Sequence, residues 1–508
     1  MTAQGAVAAG HETTAEAAAL ILEAGGNAFD AALAALCTAC VAEPVLTSLG
    51  GGGYLTARTD TAATRVYDFF VQTPHRKRAL DELEFYPILA DFGTAQQEFH
   101  IGMGSLATPG TVRGLFDVHR DLGSLPLRRI VEPAIAAARD GIRVNRLQAY
   151  IFSVVAPIYL ATAGARALYA SPTDPQRLYG EGEVMRQPEL ADALELLAIE
   201  GDRLFYEGEM AHALAALSDR HNGQLTLTDL AAYRTERRAP LQRTYRGARL
   251  YLNPPPSAGG LLIAFALSLL ERQDSRAGFG TADHLLTLSR VMEQTNLARD
   301  AGPPDQRLLH DGWIERFRHA VHGRPVTNRG TTQISVVDAR GNAASLTLSN
   351  GEGCGHVLPG TGIMLNNMLG EEDLNPAGFH RWQENVRVAS MMAPTVAEHG
   401  GRLIALGSGG SNRLRTAILQ TLCNLIDFAM PPDAAVCAPR IHLERERISI
   451  EPGFEPEAVR QLTDTWPDHH LWGERNLFFG GTHTVAFDGQ SFEGAGDPRR
   501  GGALRIVR

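Results

Sequence analysis

The chain has 508 residues, with 44% hydrophobic and 20% charged side chains and a formal net charge of -10 at pH 7. These fractions are typical of globular proteins and exclude a disordered or fibrous chain. Charges of both signs are spread along the chain, so no basic segment indicates binding to nucleic acid or to an anionic membrane. We therefore expect its partners to be small molecules or further copies of the chain.

The N-terminus has no basic segment followed by an apolar stretch, and no window reaches the roughly 18 apolar residues of a membrane helix. We expect no membrane contact and a cytoplasmic location for the chain as given. Five cysteines, an odd number, argue against a disulfide framework. Cys37 and Cys40 lie in a run of small residues that predicts a buried helix, so we interpret them as packing residues and not as a redox or metal pair.

The first eighty residues predict a helix, a turn, a second helix, a glycine loop and a strand. The first helix is predicted over 17–23 with its cap in 13–16, and an alanine-rich helix runs from Asn27 to about Val41. Four glycines at 50–53 lack the spacing and the preceding strand of a nucleotide-binding loop. They favour close backbone packing beside a strand.

Helical patterns dominate the region from about 105 to 250, and the helices are predicted near 112–119, 130–139 and 188–199. A proline-rich turn at 254–260 then precedes an amphipathic helix over 261–270. After residue 331 the pattern changes to short apolar strands separated by glycine turns, with one clear helix at 415–428. This order predicts helices outside and strands inside.

Thr331 and Thr332 open an apolar, β-branched strand directly after Gly330. The pattern is also ordinary strand sequence, so its interpretation depends on the surrounding segments. A threonine at a new N-terminus carries both a hydroxyl nucleophile and a base, its freed α-amine. The pattern is therefore consistent with an N-terminal nucleophile hydrolase that cleaves itself between Gly330 and Thr331.

Nine segments together resemble the gamma-glutamyltransferase family, whose members cleave themselves into a large and a small chain. In chain order, they are 25–32, 43–44, 50–53, 107–111, 254–257, 331–338, 362–367, 393–395 and 494–499. The resemblance implies an α+β fold, a four-layer αββα sandwich of two stacked antiparallel sheets flanked by helices. It also implies a large chain over 1–330 and a small chain over 331–508, and it leaves open whether two such pairs form a homodimer.

By the family's pattern, the Thr331 hydroxyl attacks an amide carbonyl, its amine accepts the proton, and water or an amine resolves the acyl-enzyme. The N–H groups of a glycine pair stabilise the oxyanion. Gly409 and Gly410 occupy that position, and the choice of amides stays open by one residue because the family usually has a proline in this loop. Ser349 or Thr347 is expected to bond the nucleophile's amine. This chemistry requires neither a cofactor nor a metal.

The resemblance also implies the residues that contact the substrate. Asn350 is expected to meet the amino group of the substrate. Glu371 is expected to meet its α-ammonium, with the two acidic residues that follow as competitors. Ser390 and Ser411 are the further expected contacts.

Two positions depart from the family's pattern. Phe70 stands where the family has an arginine that holds the α-carboxylate of glutamate, and Met391 replaces the second serine of a Ser-Ser pair. A bidentate guanidinium is a strong partner for a carboxylate, and phenylalanine cannot replace it. The basic run 76–78 offers another route to that carboxylate, although we favour a solvated charge run.

Three hypotheses follow for the function. The first is an autoprocessed gamma-glutamyl hydrolase or transferase acting on amides such as glutathione. The second is an amide acylase similar to the cephalosporin acylases, with another acyl donor. The third, a non-catalytic family member, is disfavoured because Thr331 and the glycine loop are present.

Overall fold

The computed structural model describes residues 3–91, 96–271, 278–300, 306–309, 330–375 and 377–508. Its α-helices are α1 (Glu12–Glu23), α2 (Ala28–Ala42), α3 (Thr111–Leu122), α4 (Leu127–Asp140), α5 (Arg146–Tyr159), α6 (Ala163–Tyr169), α7 (Pro188–Glu200), α8 (Arg203–Tyr206), α9 (Glu209–Arg220), α10 (Leu227–Ala232), α11 (Gly259–Glu271), α12 (Ala282–Asp300), α13 (Arg413–Ile426), α14 (Pro432–Cys437) and α15 (Pro456–Thr465).

The strands before residue 330 are β1 (Gly5–Ala9), β2 (Gly52–Arg58), β3 (Thr64–Phe69), β4 (Tyr86–Asp91), β5 (Gln96–Ile101), β6 (Ile142–Arg143), β7 (Val184–Met185), β8 (Glu236–Arg238), β9 (Leu241–Tyr245) and β10 (Ala248–Leu252). The strands after it are β11 (Thr332–Asp338), β12 (Ala343–Ser349), β13 (Val357–Leu358), β14 (Ile363–Met364), β15 (Thr395–His399), β16 (Arg402–Gly409), β17 (Ile441–Glu444), β18 (Arg447–Ile450), β19 (His469–Leu471), β20 (Gly481–Phe487), β21 (Phe492–Ala495) and β22 (Ala503–Val507).

Two antiparallel sheets form the centre of the molecule. One has seven strands in the order β22-β1-β11-β12-β2-β3-β8, and the other has six in the order β21-β20-β16-β15-β10-β9. They face each other across a core of mostly small or branched side chains, among them Ala6, Val337 and Ala405. Strands from both sides of Gly330 alternate within the seven-stranded sheet, so the two predicted chains share one fold.

Helices cover the outer face of each sheet. α1, α2 and α3 pack on the seven-stranded sheet, with α4 packed on α2 and α7 on α4, and α11, α13 and α14 pack on the six-stranded sheet. The predicted αββα sandwich is therefore confirmed. None of the helices in the described ranges is long and apolar enough to cross a membrane.

The first two helices pack on the sheet that contains β11. α2 is buried along its whole length and lies directly against β11 and β12. Cys37 and Cys40 are both buried and free in this helix, as the sequence predicted. Burial raises the pKa of the Cys40 thiol to about 12, which keeps it protonated and unreactive at neutral pH.

The N-terminal prediction was incomplete. Strand β1 precedes α1, and it pairs with both β11 and β22. His11, and not a residue of 13–16, caps α1 by accepting the N–H of Thr13 at Nδ1. All five residues of β1 are buried, so this strand shows no alternation of polar and apolar side chains.

Candidate active site

Thr331 is buried immediately before β11, and its hydroxyl lies against the preceding peptide bond. Thr331 Oγ1 donates a hydrogen bond to the carbonyl oxygen of Gly330 at 2.8 Å. Ser349 Oγ donates to the same oxygen at 2.7 Å. The N–H of Gly330 donates to Glu352 Oε1 at 2.9 Å. The bond predicted to break is thus contacted by two hydroxyls and flanked by a carboxylate.

Strand pairing explains why these groups meet. In the antiparallel pair of β11 and β12, Thr332 lies opposite Leu348, so the next residue of β12, Ser349, lies beside the Gly330–Thr331 peptide bond that precedes Thr332. Position 330 has no room for a side chain, because a Cβ there would lie 2.6 Å from the carbonyl oxygen of Gly351.

Arg500, from the turn between β21 and β22, and Gly409, from the six-stranded sheet, both approach the carbonyl of Thr331. Arg500 Nη1 donates to it at 3.3 Å. A Cβ on Gly409, the last residue of β16, would lie 2.1 Å from the same oxygen, so only glycine allows this approach. The following Gly410 has a φ of +118°. The predicted glycine pair therefore lies beside Thr331, and its role as oxyanion donor stays a prediction.

A buried carboxylate supports the next residue. Thr332 Oγ1 donates to Glu43 Oε2 at 2.6 Å, and Thr14 Oγ1 donates to Glu43 Oε1 at 2.9 Å. Burial raises the pKa of Glu43, while the two hydroxyls and Arg500 oppose that shift. The family's pattern contains the Glu43-Pro44 pair, but the sequence assigned no role to Glu43 or to Arg500.

A partly open cavity adjoins Thr331. Its polar and acidic lining consists of Thr331, Ser349, Glu371, Asp373, Ser390, Ser411 and Asn412, and its apolar lining of Phe70, Met368, Leu374, Met391, Met392 and Leu414. The structure thus brings three predicted substrate contacts (Glu371, Ser390 and Ser411) to the predicted nucleophile, Thr331. No lysine or arginine is among the described residues that line the cavity.

The two acidic residues of the cavity, Asp373 and Glu371, contact neighbouring residues of the protein. Ser411 Oγ donates to Asp373 Oδ2 at 3.0 Å. A Cβ on Gly351 would lie 2.2 Å from Glu371 Oε1, which places Glu371 directly beside the segment that follows Ser349. Asp373 was left as a competitor of Glu371, and both carboxylates face the cavity.

Four predicted catalytic or substrate-binding residues lie outside the cavity lining: Gly409, Gly410, Thr347 and Asn350. Thr347 sits one residue pair further along the ladder, and its hydroxyl donates to Gln333 Oε1 at 2.6 Å. Ser349, and not Thr347, therefore contacts the Gly330 carbonyl. Asn350 is fully buried, and neither polar atom of its side chain has a hydrogen-bond partner among the described residues.

Phe70 separates the cavity from a buried arginine. Phe70 lines the cavity and stacks on Tyr54 with ring centroids 5.5 Å apart. Behind it, the Arg387 guanidinium donates to the carbonyl oxygen of Phe70 and to Tyr233, and its Nε lies 3.4 Å from the Asp68 carboxylate. These contacts direct Arg387 into the protein, and it does not line the cavity.

The basic run that follows also lies elsewhere. Lys77 donates to the carbonyl of His380 and sits 4.4 Å above the Trp382 ring, while Arg78 pairs with the exposed Asp219. Arg76 is exposed. None of the three lines the cavity, which agrees with the interpretation as a solvated charge run.

Comparisons with known proteins agree with this geometry. The model of the gamma-glutamyltranspeptidase family matches residues 14–507. The glutathione hydrolase proenzyme of Escherichia coli (strain K12) is 30% identical over 502 residues, covering 90% of this chain and 84% of that protein. The acylase ACY 1 proenzyme of Pseudomonas sp. (strain V22) is 32% identical over 485 residues, covering 90% and 86%.

A solved structure extends the agreement to the fold. The cephalosporin acylase from Bacillus halodurans has a TM-score of 0.86 with this chain at 25% identity, covering 99% of this chain and 96% of that one. The resemblance predicted from the sequence is confirmed: the chain belongs to the gamma-glutamyltranspeptidase family.

Proposed function

We propose that this protein is an autoprocessed N-terminal threonine hydrolase that cleaves gamma-glutamyl amides such as glutathione or transfers the glutamyl group to an amine. The observation that carries the proposal is the contact of the Thr331 hydroxyl with the Gly330 carbonyl, at 2.8 Å, beside an acidic cavity. Family membership supports it, and so do relatives that are themselves proenzymes.

In the processing step, Thr331 Oγ attacks the carbonyl carbon of Gly330. The C–O bond forms, the C–N bond breaks, and the Thr331 nitrogen takes the hydroxyl proton. Negative charge develops on the Gly330 oxygen, where the Ser349 hydroxyl already donates at 2.7 Å. Water then hydrolyses the ester and leaves a carboxylate on Gly330 and a free α-amine on Thr331.

In the catalytic step, the same hydroxyl attacks the amide carbonyl of the substrate. The freed α-amine of Thr331 takes the proton and returns it to the leaving amine as the C–N bond breaks. Backbone N–H groups of Gly409 and Gly410 stabilise the oxyanion. Glu371 attracts the α-ammonium of a glutamyl group. Water or a second amine then releases the acyl group from Thr331.

The processed molecule consists of two chains, 1–330 and 331–508, that stay associated. β11, β12 and β22 lie between or beside β1 and β2 in one sheet, so separating the chains would expose the core between the sheets. Activity depends on this association, because Thr331 comes from one chain and Phe70 of the cavity from the other.

Intact mass and N-terminal sequencing test the processing. The wild type is expected to yield two chains, the smaller of 178 residues (331–508) beginning Thr-Thr-Gln-Ile-Ser. Thr331→Ala is expected to remain a single inactive chain, and Thr331→Ser, which keeps a hydroxyl, should still process. A fully active Thr331→Ala protein, or a fragment with another N-terminus, would contradict the mechanism.

A second candidate function is an amide acylase with a different acyl donor. The described lining of the cavity holds two carboxylates and no lysine or arginine, and Phe70 and three methionines make up much of the remainder. A glutamyl α-carboxylate in this cavity would meet like charge and no cation, which is unfavourable in a partly buried site. An acyl group with an amine and no carboxylate would meet complementary charge.

Three anilides distinguish the two candidates on the processed enzyme. The gamma-glutamyl anilide has both charged groups, the 4-aminobutyryl anilide lacks the carboxylate, and the glutaryl anilide lacks the amine. The highest kcat/KM on the gamma-glutamyl compound supports the first candidate. A higher value on the 4-aminobutyryl compound supports the second, and a preference for the glutaryl compound would contradict the assignment of Glu371 to an ammonium group.

A further inference from the structure

Outside the acyl cavity, Glu84, His221 and His356 bring one carboxylate and two imidazoles together. Each residue offers one ligand atom, and these atoms all lie within 4.8 Å of one another. Glu84 Oε2 is 2.8 Å from His356 Nε2, and Glu84 Oε1 is 3.7 Å from His221 Nδ1. The two imidazole rings have centroids 4.5 Å apart. None of the three residues lines the cavity beside Thr331.

We propose that this cluster binds a divalent zinc ion. Two histidines and one carboxylate are a frequent zinc donor set, with bonds of about 2.0–2.2 Å in tetrahedral geometry. Such bonds require donor atoms about 3.3–3.5 Å apart. The separations of 2.8 Å (His356 to Glu84 Oε2) and 3.7 Å (His221 to Glu84 Oε1) lie on either side of this range, so side-chain rotation is required to bring the three donors onto one ion.

The backbone holds the three ligands in place before any ion binds. The Glu84 carbonyl accepts the N–H of Gly104 at 2.9 Å, and the Glu84 carboxylate accepts the N–H of Met103 at 2.9 Å. His221 directly follows α9 and caps it. His356 is buried immediately before β13. Ligands placed in this way on an ordered backbone lose little freedom on binding, which favours affinity.

The cluster is open on one side. The side chains of His221 and Glu84 are 37% and 25% exposed, whereas that of His356 is 6% exposed. An ion can therefore enter from solvent and keep a water molecule as its fourth ligand.

The ligands come from both predicted chains. Glu84 and His221 precede Gly330, and His356 follows it. A zinc ion at this position would cross-link the two chains after processing, a role that rests on the proposed function. The binding itself does not, because the three residues meet in the uncleaved chain as well.

Zinc titration of the metal-stripped full-length protein tests the proposal. Calorimetry with zinc chloride, and elemental analysis after desalting, are expected to give one ion per 508-residue chain. The melting temperature is expected to rise by about 2–3 °C when free zinc exceeds the dissociation constant a hundredfold. Absence of bound zinc in the wild type would overturn the proposal.

Two variants and a matched control locate the ion. His221→Ala removes a partly exposed ligand, and Glu84→Gln removes the charge at nearly constant shape. Each is expected to weaken zinc binding at least about tenfold and to abolish the thermal shift. His212→Ala, an exposed histidine on the same helix, should bind zinc like the wild type. Unchanged binding in His221→Ala and Glu84→Gln would overturn the assignment.

Processing provides an independent readout. Thr331→Ala, which is expected to stay uncleaved, should bind zinc with the same stoichiometry as the wild type. If the wild type is not cleaved but binds zinc at this site, the proposed function fails while the metal site stands. If cleavage occurs and no zinc binds, the metal site is wrong while the proposed function stands.

Discussion

Two regions of this molecule, the ion-pair network around Asp497 and the cavity beside Thr331, differ in how their charged side chains are surrounded. Near the C-terminus, Arg440, Glu451, Asp497 and Arg499 form a network in which each charge meets an opposite one. Arg440 lies 2.7 Å from Asp497, and Arg499 lies 3.2 Å from Asp497 and 2.5 Å from Glu451. These side chains are at most 1% exposed. The cavity beside Thr331 instead combines two carboxylates with methionines and has no cation in its described lining.

The difference separates a structural role from a binding role. Charges enclosed by protein must be neutralised by fixed partners, because desolvation is otherwise too costly. Burial alone would raise the pKa of Asp497, but Arg440 and Arg499 lower it to about 2. Carboxylates that face a cavity can in addition interact with a ligand. The Asp497 network should therefore respond to mutation through stability, and the cavity through substrate choice.

Breaking the Asp497 network should have the largest effect. Arg499→Met leaves Glu451 and Asp497 buried with fewer opposite charges, and we expect a loss of about 3–5 kcal/mol in the free energy of unfolding. Denaturant unfolding of the intact protein measures it. Arg460→Met is the matched control, because its ion pair with Glu457 is 61% and 63% exposed, and no measurable change is expected there. Equal losses in the two variants would contradict the comparison.

Disturbing the contact between the two sheets at Thr331 should have the second-largest effect. Gly409→Ala places a Cβ 2.1 Å from the Thr331 carbonyl oxygen, so one of the two must move. We expect processing or kcat to fall about 10²–10³-fold, as on loss of an oxyanion donor. Gly473→Ala is the control, because no atom lies within 4 Å of its Cβ position. Normal processing and kcat in Gly409→Ala would show that Gly409 does not lie this close to the Thr331 carbonyl.

Lowering the pH should reduce the free energy of unfolding through His483, which contacts Asp497. Burial lowers the pKa of His483 to about 4, and its Nδ1 accepts the N–H of Asp497. The unfolded state, with a pKa near 6.5, binds the proton first, so stability is complete above pH 6.5 and is lost as the pH falls toward 4.

The variant His483→Asn isolates this contribution. Asparagine can still accept the N–H of Asp497 but does not titrate. Between pH 6.5 and 4.5, we expect its unfolding free energy to fall by about 2–3 kcal/mol less than that of the wild type. If the wild type and His483→Asn show the same change in unfolding free energy with pH, a group other than His483 is responsible for the pH dependence.

Adding a cation to the cavity should have the smallest effect. Phe70→Arg places a guanidinium on the cavity wall as a partner for a glutamyl α-carboxylate. We expect kcat/KM on a gamma-glutamyl anilide to rise about tenfold relative to the 4-aminobutyryl anilide. Phe70→Met opens similar space without charge and should leave that ratio unchanged. A ratio unaffected by Phe70→Arg would place the carboxylate elsewhere.

The long elements of the fold were predictable from local pattern. The helix predicted over 188–199 corresponds to α7, and that over 261–270 to α11. β1 was missed, because a run of small residues buried on both faces carries no alternation. Its existence depends on β11 and β22, which lie more than 300 residues away in the chain.

The candidate site was predictable only in part, and for a similar reason. Thr331, Glu371 and the glycine pair were found through the order of family motifs. Glu352 and Arg500, which contact Gly330 and Thr331, carried no recognised local pattern.

The sequence by itself determined the family and the αββα arrangement of helices and strands, and it predicted Thr331 as the nucleophile, because each depends on motif order and local periodicity. Only the tertiary structure decided the contacts of the site. The register of β11 and β12 directs Ser349, and not Thr347, to the Gly330 carbonyl. The burial of Arg387 behind Phe70 leaves the described cavity lining without a cation. Register and burial arise from packing between distant segments, which local sequence patterns do not record.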